Sequence, residues 1–337
     1  MDENVLLERA RAGDERAFER LVLVYRGELA AHCYRMLGSP HDAEDAVQES
    51  LLNAWRGLAG FEGRSSLRTW LYRISTNTCL RLSGKRGPRV TSADREAARG
   101  RTDDLGTFVG GPVWMEPWPD DLASDEAGPA GSYLRREGVE LAFVAALQRL
   151  PGTQRAVLIL REVLGFSAAE VAGLLDTSVA SVNSALQRAG QTMRKRVPVV
   201  SQREELAALG AGGRRELVAS FMSAWERADV DGLVALLAED ARFTMPPLPA
   251  WFDGRDDVRR FLAERVFAFD WRLRPLEANG QLGFACYQRA PGGSGFAAAA
   301  IIVLSLRKGK IVEIAGFLDA QLHHLFRLPP EISPEER

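Results

Sequence analysis

The sequence predicts a multidomain chain in which two all-α modules are followed by an α+β domain. Three observations carry this. Apolar residues recur at helical spacing over residues 1–85 and again over 139–197; a stretch of about fifty residues rich in Gly, Pro, Asp and Ser divides them; and after residue 200 helical spacing gives way to successive β-rich runs. With 337 residues, 46% of them hydrophobic, the chain can bury two or three cores.

In the first module, Leu6, Leu7 and Ala10 mark a short helix, and Ala17, Phe18, Leu21, Val22, Val24, Tyr25 and Leu29 mark a second that stops at Gly38-Ser39-Pro40. A third starts near Asp42, with Ala46, Val47, Leu51, Leu52 and Trp55 along one face, and ends at Gly57 to Gly60. A fourth runs from about Ser66 to Leu82 with Leu67, Trp70, Leu71, Ile74 and Cys79 inward. Helical spacing resumes at Val139, pauses at Leu150-Pro151-Gly152, and ends in two short helices within FSAAEVAGLLDTSVASVNSALQRA. Beyond, Leu217, Phe221, Trp225, Leu233 and Leu236 form amphipathic helices, while ARFTM, WRLRPLEA, LGFACYQRA, GFAAAAIIVLSLRKGK and IVEIAGFL read as strands, the last two joined at Lys308-Gly309-Lys310.

No apolar run approaches the roughly 20 residues of a membrane span, and the start MDENVLLERARAGDE is charged and periodic, unlike a signal peptide. The expected location is the cytoplasm, with no membrane partner. Cys33, Cys79 and Cys286 lie far apart with no metal-ligand spacing, so they read as reduced core thiols; neither metal nor cofactor is expected.

The net charge of −2 hides its distribution. Arg64, Arg68, Arg73, Arg81, Lys85, Arg86 and Arg89 run without an acid among them, as do Arg188, Arg194, Lys195 and Arg196. Acids cluster at Asp42, Glu44, Asp45 and Glu49, and at Asp120, Asp121, Asp125 and Glu126. Two basic patches predict two contacts with a polyanion.

Residues 166–197 have the pattern of a helix-turn-helix. Val171, Leu174 and Leu175 brace the second helix, Asp176 or Thr177 caps it, and Val179, Val182, Leu186 and Met193 pack it. The other face carries Ser178, Ser181, Asn183, Ser184, Gln187 and Arg188, short polar groups suited to base edges, with Arg194 and Lys195 placed for phosphates. In the block from Arg64 to Arg89, aromatic rings alternate with arginines, a composition that suits unstacked DNA; Arg64, Arg68, Tyr72, Arg73, Asn77 and Arg81 are its candidate contacts, whereas Trp70 reads as core.

The order of these pieces resembles the extracytoplasmic-function class of bacterial RNA polymerase sigma factors, through DAEDAVQESLLNAWR (42–56), FEGRSSLRTWLYRISTNTCLRL (61–82) and LPGTQRAVLILREVLGFSAAEVAGLLDTSVASVNSALQRA (150–189). The resemblance implies sigma region 2 over 1–85, a long linker over 86–137 and a helix-turn-helix region 4 over 138–198. It implies that Asp42, Glu44, Asp45, Gln48, Glu49 and Trp55 dock on the RNA polymerase core, that residues 60–77 capture the promoter −10 element, and that the second helix of 166–197 reads the −35 element. An acid-rich helix is repelled by DNA, so a basic protein surface is its natural partner. Ala180-Ser181 departs from the commoner family pattern of glycine or proline followed by threonine.

Residues 204–330 resemble the SnoaL-like branch of the nuclear-transport-factor-two-like fold, a curved sheet and helices around a cone-shaped cavity, through RELVASFMSAWERADVDGLVALLAEDARFTMPP and WFDGRDDVRRFL. Such domains can be isomerases that hold an acid or histidine against an apolar pocket; the candidates would be Asp240, Asp253, Asp270, Asp319, His323 and His324, none in a diagnostic spacing. Trp225, Phe243, Trp251, Phe284 and Phe317 would line a pocket for a small apolar ligand. The expected role is regulation in cis, not catalysis, with a working isomerase, hydrolase or small-molecule sensor as the alternative.

Two tryptophans in GGPVWMEPWPDDL (110–122) exceed what a linker requires. Trp114-Met115-Glu116-Pro117 resembles the linker motif of sigma factors with this appended domain. Trp114, Met115, Pro117 and Trp118 are therefore expected to dock on the third domain or the first helical module.

Overall fold

The computed structural model describes residues 2–111, 113–120, 139–289, 292 and 295–334. They fall into two compact units, one drawn from Met1–Arg89 and Asp120–Val197, the other from Val90–Pro119 and Pro198–Arg337.

The first unit is helical. α1 (Glu3–Arg11), α2 (Glu15–Leu37), α3 (Pro40–Gly57) and α4 (Leu67–Arg86) start at Asp2, Asp14, Ser39 and Ser66, each of whose side chains accepts a hydrogen bond from a backbone N–H of the first turn. Gly38 ends α2 at φ 75°, the left-handed conformation that glycine adopts without strain. α5 (Leu141–Gln148), α6 (Gly152–Leu158), α7 (Ala168–Leu174) and α8 (Val179–Met193) complete the unit; a wider turn over Ile159–Val163 continues α6. The expected third and fourth helices are each longer than the apolar spacing suggested, because Ser39-Pro40 starts one and the polar end of the other runs to Arg86.

The two helical stretches share a polar clamp. The last carbonyls of α2 have no partner within the helix; Gln148 Nε2 donates to Arg35 O (3.2 Å) and Arg155 Nη1 to Met36 O. Arg155, buried, also donates to Leu147 O (2.8 Å), to Gln148 Oε1 (2.8 Å) and to the carbonyls of Gln148 and Leu150 (3.1 Å each). A buried guanidinium is costly unless its donors are met, and here they are.

The second unit joins helices to a seven-stranded sheet. α9 (Gln202–Glu226) breaks at Gly210 (φ 65°) and is followed by α10 (Val230–Leu236) and α11 (Arg255–Glu264). β1 (Leu237–Thr244), β2 (Trp251–Asp253), β3 (Trp271–Ala278), β4 (Gln281–Arg289), β5 (Phe296–Arg307) and β6 (Lys310–Phe317) assemble in the order β2-β1-β6-β5-β4-β3, and β7 (Glu331–Ile332) adds to β5. Among the named strands of the described residues, β1 and β6 pair in parallel and the other pairs are antiparallel. The five strands expected from composition are present; β2 and β7, of three and two residues, are too short to show a period. Phe221, Trp225, Phe243, Phe261 and Phe284 pack with Ile302, Leu304 and Ile314 into a core between sheet and helices.

Residues 90–119 do not form the free linker expected from their composition. Thr91 and Asp94 make a capping box around the single turn Ser92–Arg95, Val90 and Trp114 form a parallel bridge, and Pro119 bridges Ala278. The rest of the expected linker, 121–138, lies outside the described residues.

Candidate functional site

The polar face of α3 divides in two. Glu44, Asp45 and Gln48 are exposed, Glu49 is half-buried, and Trp55 packs on Phe18 with ring centroids 5.1 Å apart. Leu52 was expected inward, yet it is 55% exposed, because positions 45, 48 and 52 lie on one side of the helix. Asp42, buried, has turned into the protein, where its carboxylate accepts from Arg86 and Arg89.

On α4 the six candidate contacts also separate. Arg73, Asn77 and Arg81 are exposed at a spacing of four, and Arg64 is exposed beside Glu62 (3.0 Å). Arg68 instead chelates Glu28, with Nε 3.1 Å from both carboxylate oxygens, and its guanidinium sits 4.9 Å from the Tyr72 ring and 5.4 Å from that of Phe166. Tyr72 is fully buried, edge-on to His32 (5.2 Å) and Phe166 (5.5 Å), and burial raises its phenol above the ordinary range. Trp70, expected in the core, is half-buried against Phe61 (4.9 Å).

The helix-turn-helix has the expected form with a shifted cap. Asp176 takes a positive φ of 50° in the turn, and Ser178 caps α8 by accepting from Ser181 N–H (3.1 Å). Ser178 and Ser181 also share a hydroxyl hydrogen bond (2.9 Å). Val182, Ala185, Ala189 and Met193 form the packed face, whereas Val179, expected on it, is 44% exposed because it opens the first turn. Ser181, Asn183, Ser184, Gln187, Arg188, Arg194 and Lys195 are all exposed.

The tryptophan segment is seated on the second unit. Trp114, Met115, Pro117 and Trp118 are buried. Trp118 N–H donates to Asn279 Oδ1 (2.8 Å) and Asn279 N–H returns a bond to Trp118 O (2.9 Å), closing on the β3–β4 turn. Trp114 Nε1 donates to Val109 O (2.8 Å) under the Arg95 guanidinium. Further along, Trp251 Nε1 donates to Glu96 O (2.8 Å) and Arg99 N–H to Trp251 O (2.8 Å).

The candidate acids of this unit all face water. Asp240 pairs with Arg307, Asp253 with Arg242 (3.1 Å), Asp270 with Arg289 (2.6 Å), and Asp319 accepts from Gln321 N–H (2.9 Å). His323 is buried at 5.0 Å from the Tyr287 ring, and burial lowers its imidazole to about 4; His324 is exposed. Trp225, Phe243 and Phe284 belong to the aromatic core, with Phe221 stacked on Phe284 at 4.7 Å. Trp251 and Phe317 lie outside that cluster, Trp251 turned to the linker and Phe317 paired in register with Ile301. Composition did not reveal Glu313, an acid in a strand. It is in register with Arg242 and Ser305, and enclosure raises its carboxyl while Arg242 and Thr244 lower it. Its neighbour Ile314 faces the aromatic core, so alternation puts Glu313 on the other face of the sheet.

Comparison with known proteins decides the family. Residues 21–88 match Sigma-70 region 2, residues 140–193 Sigma-70 region 4, and residues 218–314 a SnoaL-like domain. The chain is 43% identical to the ECF RNA polymerase sigma factor SigG of Mycobacterium tuberculosis (strain ATCC 25618 / H37Rv) over 315 residues, 91% of this chain and 83% of that protein. It belongs to the ECF RNA polymerase sigma factors. The RNA polymerase sigma-H factor of Pseudomonas aeruginosa is 33% identical over 56% of this chain and 91% of its own. The crystal structure of the extracytoplasmic function sigma factor SigJ of Mycobacterium tuberculosis shares the fold, with a TM-score of 0.58 at 23% identity over 90% of this chain and 97% of that one. This sigma factor therefore binds RNA polymerase core and promoter DNA at −10 and −35 elements, and carries a SnoaL-like domain behind region 4. No helix among the described residues is long and apolar enough to cross a membrane.

Proposed function

We propose that the SnoaL-like domain regulates the sigma factor in cis by holding the linker. The observation that carries this reading is the reciprocal Trp118–Asn279 pair, which with buried Trp114 and Met115 commits residues 90–119 to the third domain. Region 2 and region 4 must separate to reach two promoter elements, and a captured linker shortens the chain available for that separation. Within the first unit they stay together: Phe166 of region 4 covers Tyr72 and Arg68 of region 2. Burying one tryptophan contributes a few kcal/mol by area, enough to shift a two-state equilibrium without locking it.

In the released state, Glu44, Asp45, Gln48, Glu49 and Leu52 meet the polymerase, with Trp55 bracing their helix. Arg64, Arg73, Asn77 and Arg81 hold the −10 strand, joined by Arg68 and Tyr72 once Phe166 leaves. Asn183, Ser184, Gln187 and Arg188 read the −35 element, while Arg194 and Lys195 hold its backbone. Asp42 serves the fold through Arg86 and Arg89. The work is done in the cytoplasm, where polymerase and chromosome are.

The SnoaL-like domain acts here without catalysis, a reading supported by its four candidate aspartates, all at the surface. A sensor version is favoured by one observation: the Trp225 indole N–H lies buried in the aromatic core without a hydrogen-bond partner, so a small apolar ligand with one acceptor would satisfy it. The test of regulation is run-off transcription with the full-length Trp118→Ala variant. The reading predicts more transcript per sigma factor than the unaltered chain gives; equal yields would contradict it.

A further inference from the structure

The basic character of region 4 does not stop at the end of α8. Between Arg188 and Arg215 the chain holds seven basic residues and two acidic ones, Glu204 and Glu205. Both acids are spent locally. Glu204 accepts from Ser201 N–H (2.9 Å) in the capping box of α9, and Glu205 Oε2 accepts from Lys308 N–H (2.7 Å).

The second of these bonds is one of two bolts. Gln202 mimics a strand residue: its Nε2 donates to Leu306 O (2.9 Å) and its Oε1 accepts from Leu306 N–H (2.6 Å). Gln202 and Glu205 therefore fix the first turn of α9 to the β5–β6 hairpin. Arg203 stands between the two bolts and is exposed, as are Lys308 and Lys310 at the hairpin tip. Lys310 is steadied by a bond from its Nζ to Ala235 O (2.8 Å), which leaves two of its three N–H donors uncommitted by that bond. Lys308 takes a positive φ of 52° in the exposed turn between β5 and β6. The result is a rigid cationic surface within the SnoaL-like unit, preorganised so that little ordering remains to be done on binding.

Only residues 197–201 separate this unit's first helix from Arg196, and Val199 and Val200 are exposed. Five residues of chain make a short tether, which raises the effective concentration of the second surface once the first is bound. We propose that Arg203, Lys308 and Lys310 grip the phosphate backbone of duplex DNA flanking the −35 element, so that the SnoaL-like domain extends the promoter contact of region 4. The contact is with phosphates: lysines and an arginine on a strand turn and a helix flank give charge without base-edge geometry.

The test uses the full-length chain and its Arg203→Gln/Lys308→Gln/Lys310→Gln variant, titrated onto fluorescein-labelled mixed-sequence duplexes of 12 and 30 base pairs across a range of potassium chloride. On the long duplex the variant should bind on the order of tenfold more weakly at low salt, and its slope of log K against log salt should be shallower by about 2 to 3, as three lost phosphate contacts require. On the short duplex, which region 4 alone fills, the two proteins should agree within about twofold. A thermal melt checks that the variant's SnoaL-like unit is intact. Equal binding of the two proteins to the long duplex, whether tight or absent, would overturn the proposal; so would an equal loss on both lengths.

Discussion

Arg81 and Glu49 form an ion pair that joins α4 to α3. One stands on the face expected to meet DNA and the other on the face expected to meet polymerase, so the two surfaces share an edge. Both side chains are more than a third exposed, which limits the pair to about 0–1 kcal/mol. Glu49→Gln should therefore change stability little. Asp45→Ala/Leu52→Ala, which strips the charged and the apolar part of the exposed face, should weaken binding to core polymerase by about tenfold, a loss of about 1.4 kcal/mol, and leave DNA binding intact. Affinity measurement with immobilised core enzyme separates these outcomes.

Asp42 lies in the same acidic run and behaves differently. Its carboxylate is buried with Arg89, and Arg86 completes the cluster. Removing one partner of a buried pair strands the other charge, at a cost of about 3–5 kcal/mol. Urea unfolding of Asp42→Asn should show a loss of that order, and any weakening of polymerase binding should disappear when the comparison is made at equal folded fraction.

Phe166→Ala should open the contact between the helical regions. The Tyr72–Phe166 edge contact is worth about 0.5–1.5 kcal/mol beyond area burial, and the lost ring adds the larger share. Nitration of Tyr72, slow while the phenol is buried, should accelerate in the variant by at least fivefold. An unchanged rate would mean that something other than Phe166 covers the ring.

His32 makes the first unit sensitive to acid. It is wholly buried between α2 and α4, sharing a hydrogen bond with Thr76 Oγ1 (2.9 Å), and burial, then the charges of Arg35 and Arg68, lower its imidazole from 6.5 to about 3. The unfolded chain takes up a proton near pH 6.5 that the folded chain refuses until about pH 3. Stability from this group is thus complete above pH 6.5 and declines as the pH falls toward 3, with a slope of up to about 1.4 kcal/mol per pH unit. His32→Asn should flatten the pH dependence of urea unfolding between pH 6.5 and 4.5 by close to one proton.

Local signals in the sequence were enough where a residue's role depends on its neighbours in the chain. Helical spacing located α2 to α4, β-branched runs located β5 and β6, and the polar face of α8 is exposed as its spacing implied. What escaped depends on long-range contact. Nothing local distinguishes Asp42 from Asp45, yet Arg86 and Arg89 draw only the first inward. Arg68 and Tyr72 have the composition of a DNA contact, and Glu28 and Phe166, forty and ninety-four positions away, occupy them. Residues 90–119 look like a linker because ten of the thirty are Gly, Pro or Asp; their place is decided by contacts far along the chain, where Trp118 and Pro119 pair with Asn279 and Ala278 at the β3–β4 turn.

If capture of the linker by the third domain restrains the sigma factor, releasing the linker must raise the affinity for core polymerase. The affinity of the full-length chain for core polymerase reads this release when the buried Trp118 indole and the Asn279 side-chain acceptor are both removed, in Trp118→Ala/Asn279→Ala. Loss of one buried indole and of the hydrogen bond accepted by the Asn279 side chain is worth a few kcal/mol, so binding should be tighter by tenfold or more. Affinity equal to that of the unaltered chain, or weaker in a variant whose helical unit melts normally, would contradict it.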